Sequence, residues 1–137
     1  MLSLAKIGGE DAALLVIGML NDSDPDVRAT VSRGVSVLKV ARAHKPLMDI
    51  LEKGDEDTVI EQVIRALGQL GDPFAVPLIE KRASGSFFSK LHVEMRVAAL
   101  SALGAIGTPH AMSVAEGAKD DKDPKVRAAA QQILAAR

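Results

Sequence analysis

Apolar residues recur with the same spacing in four segments of the chain, which begin at Val27, Val59, Met95 and Val126. These starts are 32, 36 and 31 residues apart. Within each segment apolar residues fall at offsets 0, 4 and 8 from the first residue, and in the first three segments also at offset 11. At about 100° per residue these offsets share one side of an α-helix, so each segment predicts a helix with a single apolar stripe. The stripe residues are Val27, Val31, Val35, Leu38, Val59, Val63, Leu67, Leu70, Met95, Ala99, Leu103, Ile106, Val126, Ala130 and Leu134.

A second set of shorter helices is predicted over residues 12–20, 47–52, 74–82 and 111–118. Two of them follow a glycine, a capping residue and a proline, at Gly71-Asp72-Pro73 and Gly107-Thr108-Pro109. Glycine ends the preceding helix, Asp or Thr caps the next one, and proline fits its first turn. The sequence contains neither the alternating pattern of strands nor an Asn-Gly hairpin turn. It therefore predicts an all-α array of stacked helix pairs.

Several short motifs carry a family resemblance. Asp-Pro-Asp-Val-Arg at 24–28, Asp-Pro-Lys-Val-Arg at 123–127 and Ala-Leu-Gly-Ala-Ile-Gly at 102–107 resemble HEAT repeats, in particular the short bacterial type also found in phycocyanobilin-lyase subunits. The resemblance covers essentially the whole chain and implies a right-handed α-α superhelix, a solenoid of about four HEAT-like helix pairs. It divides one domain, residues 1–137, into repeats over 9–39, 40–71, 72–107 and 108–137, with 1–8 as the end of a preceding repeat helix.

The amino-acid composition excludes several classes of function. The 137 residues include no Cys, which excludes a disulfide framework, thiolate chemistry and any Cys-based metal site. Seventeen basic and 18 acidic residues give a net charge of −1, so no strong field attracts nucleic acid or an anionic membrane. Because the sequence shows neither a secretory signal nor an apolar run of membrane-spanning length, we expect a cytoplasmic protein.

The sequence predicts no catalytic, metal or cofactor site. His44, His92 and His110 fall in three different repeats and lack the paired spacing of zinc ligands. The acidic turns at 21–24 and 120–123 lack the ligand spacing of a calcium-binding EF-hand loop. Neither a Gly-x-Ser-x-Gly motif nor a Gly-rich phosphate loop is present. We therefore expect neither an enzyme nor a bound cofactor.

Arginine recurs one residue after the first stripe position, at Arg28, Arg96 and Arg127. One interpretation is a row of anion-binding groups on a binding surface. We favour an internal ladder, because offset 1 flanks the apolar stripe and so faces a neighbouring repeat. The family resemblance implies that each guanidinium then bonds an Asp or a helix-end carbonyl of that repeat. Asp24 and Asp123 belong to this structural set as the caps of their helices.

The side of the long helices opposite the apolar stripe is the predicted binding surface. Its residues occupy offsets 2, 6 and 9, and in a HEAT stack they would line the concave surface. Arg33 and Arg65 are its large anchors. The small residues around them either allow a partner helix to approach closely or serve only helix propensity. The full set is Ala29, Arg33, Ser36, Glu61, Arg65, Gly68, Val97, Ser101, Gly104, Ala128, Gln132 and Ala135.

The resemblance implies a non-catalytic scaffold that presents a curved surface to another protein, with no nucleic-acid or membrane partner. Two alternatives stay open. One is a lyase or lyase-chaperone subunit for a bilin-bearing protein, and the other is a regulatory repeat segment of a larger signalling protein. Leu4, Ile7 and Leu134 lie in apolar helices without a polar capping unit outside them. The chain is therefore expected either to be part of a longer solenoid or to self-associate through its terminal repeats.

An insertion over residues 84–90 lengthens the third repeat and holds Phe87 and Phe88, two of the three phenylalanines of the chain. Each ring can bury about 150–250 Å², and exposing both would create an apolar patch in water. The insertion is therefore either a core plug or a binding loop. We expect one ring to pack against the third repeat and the other to lie at a protein contact.

The single variants Phe87→Ala and Phe88→Ala test this division of roles. The variant that loses the packed ring should lose about 3–5 kcal/mol of unfolding free energy, measured by urea denaturation. The other variant should keep its stability and weaken association with a partner or a second copy. Two variants with unchanged stability and association would contradict the prediction.

Overall fold

A computed structural model describes residues 9–37, 41–83 and 93–136 of the protein. These ranges contain eight α-helices and no strand, which confirms the predicted all-α fold. None of these helices is long and apolar enough to cross a membrane. The helices are α1 (Gly9–Gly18), α2 (Pro25–Val37), α3 (His44–Lys53), α4 (Asp57–Leu70), α5 (Val76–Ala83), α6 (Val93–Ile106), α7 (Pro109–Ala118) and α8 (Pro124–Ala136), with short 3₁₀ helices at Met19–Asn21, Ala41–Ala43 and Pro73–Ala75.

The helices form two layers. The four long helices α2, α4, α6 and α8 make one layer, in which each contacts the next. The short helices α3, α5 and α7 contact one another in the same order in the second layer. Across the layers, α1 contacts α2, α3 contacts α4, α5 contacts α6, and α7 contacts α8. This is a stack of helix pairs, while the right-handed twist and the repeat limits stay predictions.

The helices end and begin at the predicted glycine and capping residues. Gly71 adopts a left-handed conformation with φ of 72° and ends α4, where its N–H donates to the Leu67 carbonyl. The Asp72 side chain then accepts a hydrogen bond from the Phe74 N–H and caps the next 3₁₀ turn. Thr108 caps α7 in the same way, since its hydroxyl accepts from the Ala111 N–H. Local sequence therefore determines where a helix of one layer ends and a helix of the other layer begins.

The apolar stripes of the long helices form the core. The stripe residues at offset 4 are buried in all four long helices, and those at offset 8 are buried in the first three, so aliphatic side chains and alanine fill the interior. Phe74 is 80 % exposed, so no aromatic ring of the described residues lies in this core. Leu38, Leu4 and Ile7 lie outside the described residues. The fully buried stripe residues are Val35, Val59, Val63, Leu67, Ala99, Leu103, Val126 and Ala130.

Offset 9 is covered in the first two repeats, so the prediction of a solvent-facing residue is wrong at Ser36 and Gly68, whereas Gly104 is half-buried and Ala135 is exposed. Ser36 is only 3 % exposed, and Gly68 is buried. A Cβ atom built on Gly68 would lie 2.7 Å from the Cα of Ala102 in the next long helix. One built on Gly104 would lie 2.8 Å from Cγ2 of Ile133. The small residues at offset 9 therefore allow successive long helices to pack closely, because a larger side chain would push them apart.

Substitution of two glycines by alanine tests this packing. Gly68→Ala should lower the unfolding free energy by about 1–3 kcal/mol, because the new methyl group meets the Ala102 backbone. Gly34→Ala is the matched control, since its new Cβ meets no atom within 4 Å. It should raise the unfolding free energy by up to about 1 kcal/mol through helix propensity. Urea denaturation followed by circular dichroism measures the unfolding free energy of both variants. An equal increase in both would contradict close packing at Gly68.

Candidate functional site

The exposed side of the long-helix layer is the candidate binding surface, and we call it the layer face. It consists of the residues at offsets 2 and 6 of α2, α4, α6 and α8. Most are exposed, and the remainder are half-buried at the junctions between helices. Four of the eight side chains are small, and the other four are the long side chains of Arg33, Glu61, Arg65 and Gln132. The layer face comprises Ala29, Arg33, Glu61, Arg65, Val97, Ser101, Ala128 and Gln132.

Arg33 and Arg65 occupy the same offset in neighbouring helices that contact each other. Nη2 of Arg65 donates to Oε1 of Glu61, one turn earlier in α4, over 3.1 Å. Arg33 is exposed, and its guanidinium group makes no hydrogen bond or ion pair with any described residue. The layer face therefore offers one free guanidinium group and a second one held by a solvent-accessible pair.

An open groove of about 440 Å³ lies beside Arg33, between α2 and α4. Its walls carry small and apolar groups, and Val37 at one end is 69 % exposed. The groove places an apolar surface directly next to an unpaired positive charge. Its lining residues are Ala29, Thr30, Arg33, Gly34, Val37 and Gln62. Phe87 and Phe88, the other predicted binding residues, lie outside the described part of the chain.

Arg28 links the first repeat to the second. Its Nε and Nη2 donate to the two carboxylate oxygens of Asp55 over 2.8 and 2.7 Å. Its Nη1 donates to the Asp22 carbonyl over 2.7 Å. Asp55 lies in the turn before α4, so this two-point contact ties α2 to the start of the next long helix. Paired hydrogen bonds of this kind orient the guanidinium as well as attract it.

Arg96 makes the equivalent link between the third and fourth repeats. It is 6 % exposed, and its Nη1 and Nη2 both donate to the Asp121 carboxylate. Its Nε donates to the Ala83 carbonyl over 3.3 Å. The second repeat has the buried Ile60 at this position, so the contact between its helix and the next is apolar there.

Arg127 carries only part of the same pattern. Its Nη1 donates to the Asp121 carbonyl over 3.0 Å, as Nη1 of Arg28 does to Asp22. Its Nε and Nη2 have no partner among the described residues. We call the contacts of Arg28 and Arg96 the arginine ladder. Arg127 occupies the same offset, but its guanidinium contacts no carboxylate among the described residues.

The carboxylates of the arginine ladder were not identified from the sequence. Asp24 and Asp123 cap helices: Oδ1 of Asp24 accepts from the Asp26 N–H, and Oδ1 of Asp123 accepts from the Lys125 and Val126 N–H groups. The guanidinium groups instead reach Asp55 and Asp121. Each of these precedes another Asp by two residues, as Asp22 precedes Asp24. That Asp-x-Asp spacing is the signal that could have identified them.

Two histidines link the short helices of the second layer. Nδ1 of His44 lies 2.5 Å from Oδ2 of the buried Asp72, and Nε2 of His110 lies 2.6 Å from Oε1 of Glu80. Both pairs join one repeat to the next, so the histidines have structural partners. His92 lies outside the described residues, and within those residues no group of three His, Asp or Glu side chains is placed to hold a metal ion.

The arginine ladder shifts the titration of its carboxylates. Hydrogen bonds from Arg28 lower the pKa of Asp55, and the backbone N–H of Glu56 acts in the same direction. Hydrogen bonds from Arg96 likewise lower the pKa of Asp121. Partial burial opposes both shifts without reversing them. Both carboxylates therefore favour the ionised form that the arginines require.

A family model described as HEAT repeats matches residues 44–135, more than half of the chain. No curated protein matches the chain. The matched range begins at the first residue of α3 and covers the three helix pairs from α3 to α8. The short bacterial subtype stays a prediction.

Acid should weaken the arginine ladder. The folded-state pKa of Asp121 lies below the unfolded value of about 3.9, so the pair stabilises the fold above that pH and loses its effect as the pH falls through the folded value. Asp121→Asn should cost about 2–4 kcal/mol of unfolding free energy at neutral pH, because it leaves the buried Arg96 without its counter-charge. Urea denaturation near pH 3 should give a smaller difference in unfolding free energy between Asp121→Asn and the unmodified protein.

The matched control is Asp120→Asn, one residue away. Asp120 is exposed and makes no hydrogen bond with a described residue, so its substitution should have little effect at either pH. A cost of Asp121→Asn that stays constant from neutral to acidic pH would show that the ion pair does not stabilise the fold.

Proposed function

Because this chain belongs to the HEAT-repeat family, we propose that it is a non-catalytic scaffold that binds another protein through the layer face. HEAT repeats generally serve as protein-interaction scaffolds. The observation that carries the proposal for this chain is the free guanidinium of Arg33 beside an open apolar groove. An unpaired cation next to uncovered apolar surface is a typical anchor of protein interfaces, where arginine is enriched.

The chemistry of the layer face defines the kind of partner. A guanidinium group binds a carboxylate through two parallel hydrogen bonds, so Arg33 favours an Asp or Glu side chain. The adjoining groove favours an apolar side chain next to that carboxylate. Arg65, at the equivalent place on the next helix, can exchange its exposed pair with Glu61 for a second carboxylate. An acidic segment with interspersed apolar residues therefore fits this surface.

Rigidity supports the same role. The layer face is carried by helices whose opposite sides lie in the core and whose junctions are held by the arginine ladder and by close packing at Gly68 and Gly104. A preformed surface loses little conformational entropy when a partner binds. Function then depends on side chains that can be changed without disturbing the fold.

The proposal can be tested by photo-crosslinking. A photoreactive amino acid at Ser101, which shares the offset of Arg33 and Arg65, should form a discrete adduct with a partner protein in the source cells. The same amino acid at Lys45, an exposed residue of α3 in the other layer, is the control and should form no such adduct. Adducts at Lys45 alone would place the binding surface on the other layer and contradict the proposal.

Charge reversal then tests the anchors with the purified partner. Arg33→Glu and Arg65→Glu should each weaken binding about tenfold or more, since a hydrogen bond to a charged group contributes about 1.5–3 kcal/mol. Lys45→Glu makes the same charge change away from the layer face and should leave the dissociation constant unchanged. Equal affinities for all three variants, measured by calorimetry, would exclude the arginines as anchors.

A further inference from the structure

One ion pair of the layer face joins two residues of the same helix. Glu61 and Arg65 lie one turn apart on α4, and Nη2 of Arg65 donates to Oε1 of Glu61 over 3.1 Å. Both long helices next to α4 in the layer, α2 and α6, contact it, so the pair lies well inside the described array. It also faces water, since the side chains of Glu61 and Arg65 are 31 % and 45 % exposed.

The packing of the array does not require a carboxylate at Glu61. The same offset holds Ala29, Val97 and Ala128 in the other long helices, which stack in the same layer. Among the eight residues of the layer face, Glu61 is the one acidic residue. Its charge is therefore available for a role in recognition.

The contact between Glu61 and Arg65 can be displaced. It uses one N–H of the guanidinium, whereas Arg28 holds both oxygens of Asp55 over 2.8 and 2.7 Å. Exposed ion pairs one turn apart favour the paired state by only about a factor of two. A carboxylate that accepts two parallel hydrogen bonds from Arg65 therefore binds more strongly than Glu61 does.

Arg33 has no competitor of this kind. It occupies on α2 the offset that Arg65 occupies on α4, but the residue one turn earlier is Ala29 instead of a glutamate. The Arg33 guanidinium makes no hydrogen bond or ion pair with a described residue. The two arginines of the layer face therefore differ, because Arg33 is open and Arg65 is occupied by a residue of its own helix.

We infer that Glu61 is an autoinhibitory residue, which occupies Arg65 until a carboxylate of the bound partner displaces it. This inference rests on the proposed function, because it concerns the same acidic partner. The partner binds first at Arg33, and this contact brings its second carboxylate to a high effective concentration beside Arg65. A free carboxylate in solution lacks this advantage and meets the negative charge of Glu61. Glu61 thereby restricts Arg65 to carboxylates of a partner that is already anchored at Arg33.

Chemical modification of arginine tests the competition without a partner. Phenylglyoxal modifies accessible guanidinium groups, and mass spectrometry measures its rate of reaction with Arg33 and Arg65. Glu61→Gln should accelerate modification of Arg65 about twofold or more, because it removes the paired carboxylate, and should leave the rate at Arg33 unchanged. Glu52→Gln makes the same charge change at an exposed position of α3 and should change neither rate. An unchanged rate at Arg65 in Glu61→Gln would overturn the inference.

Binding of an acidic peptide tests the consequence for recognition. The probe is a fluorescein-labelled synthetic peptide that repeats the sequence Glu-Leu-Glu-Ala, and fluorescence anisotropy measures its dissociation constant. Glu61→Gln should lower this constant about twofold or more, and Glu52→Gln should leave it unchanged. In an Arg65→Gln background the substitution of Glu61 should have a smaller effect, because no guanidinium is left to release. An equal effect in both backgrounds would indicate simple charge repulsion and overturn the inference.

The inference and the proposed function fail in different ways. Weaker peptide binding by Arg33→Glu, together with an unchanged dissociation constant for Glu61→Gln, would support the layer face as the binding surface and overturn the inhibitory role of Glu61. Unchanged binding by Arg33→Glu would overturn the proposed function and, with it, the order of binding inferred here. Failure of the unmodified protein and all variants to bind the peptide would overturn both. Circular dichroism and melting temperatures establish independently that each variant is folded.

Discussion

Close packing between successive long helices sets the spacing of the described helix pairs. The backbone of α4 approaches α6 so closely at Gly68 that no Cβ atom fits against Ala102, and a Cβ atom on Gly104 would meet the side chain of Ile133. This approach brings the aliphatic stripes together into one core without the help of aromatic rings. It also sets the distance at which a guanidinium on one helix can reach the turn before the next. The arginine ladder and the layer face both follow from this spacing.

Charge is used in this fold chiefly to define register. Arg28 and Arg96 each contact a carboxylate of the following repeat and a backbone carbonyl, so each specifies an orientation as well as a distance. A buried ion pair adds little net stability compared with an apolar pair, but loss of one partner is costly. The second repeat illustrates this, because Ile60 replaces the arginine and the junction is still well packed. The ladder therefore aligns repeats that the core holds together.

The sequence by itself determined the fold class, the helix pairs and the helix ends, because these depend on local periodicity and on capping residues such as Asp72 and Thr108. It also located the buried stripes, from Val35 to Val126. It did not identify Asp55 and Asp121 as ladder carboxylates, and it misplaced Ser36 and Gly68 on the solvent side. A helix viewed alone has one apolar face, whereas a helix in a stack has two neighbours besides its pairing partner. Which flanking positions those neighbours cover depends on interhelical distance and angle, so only the tertiary structure could decide it.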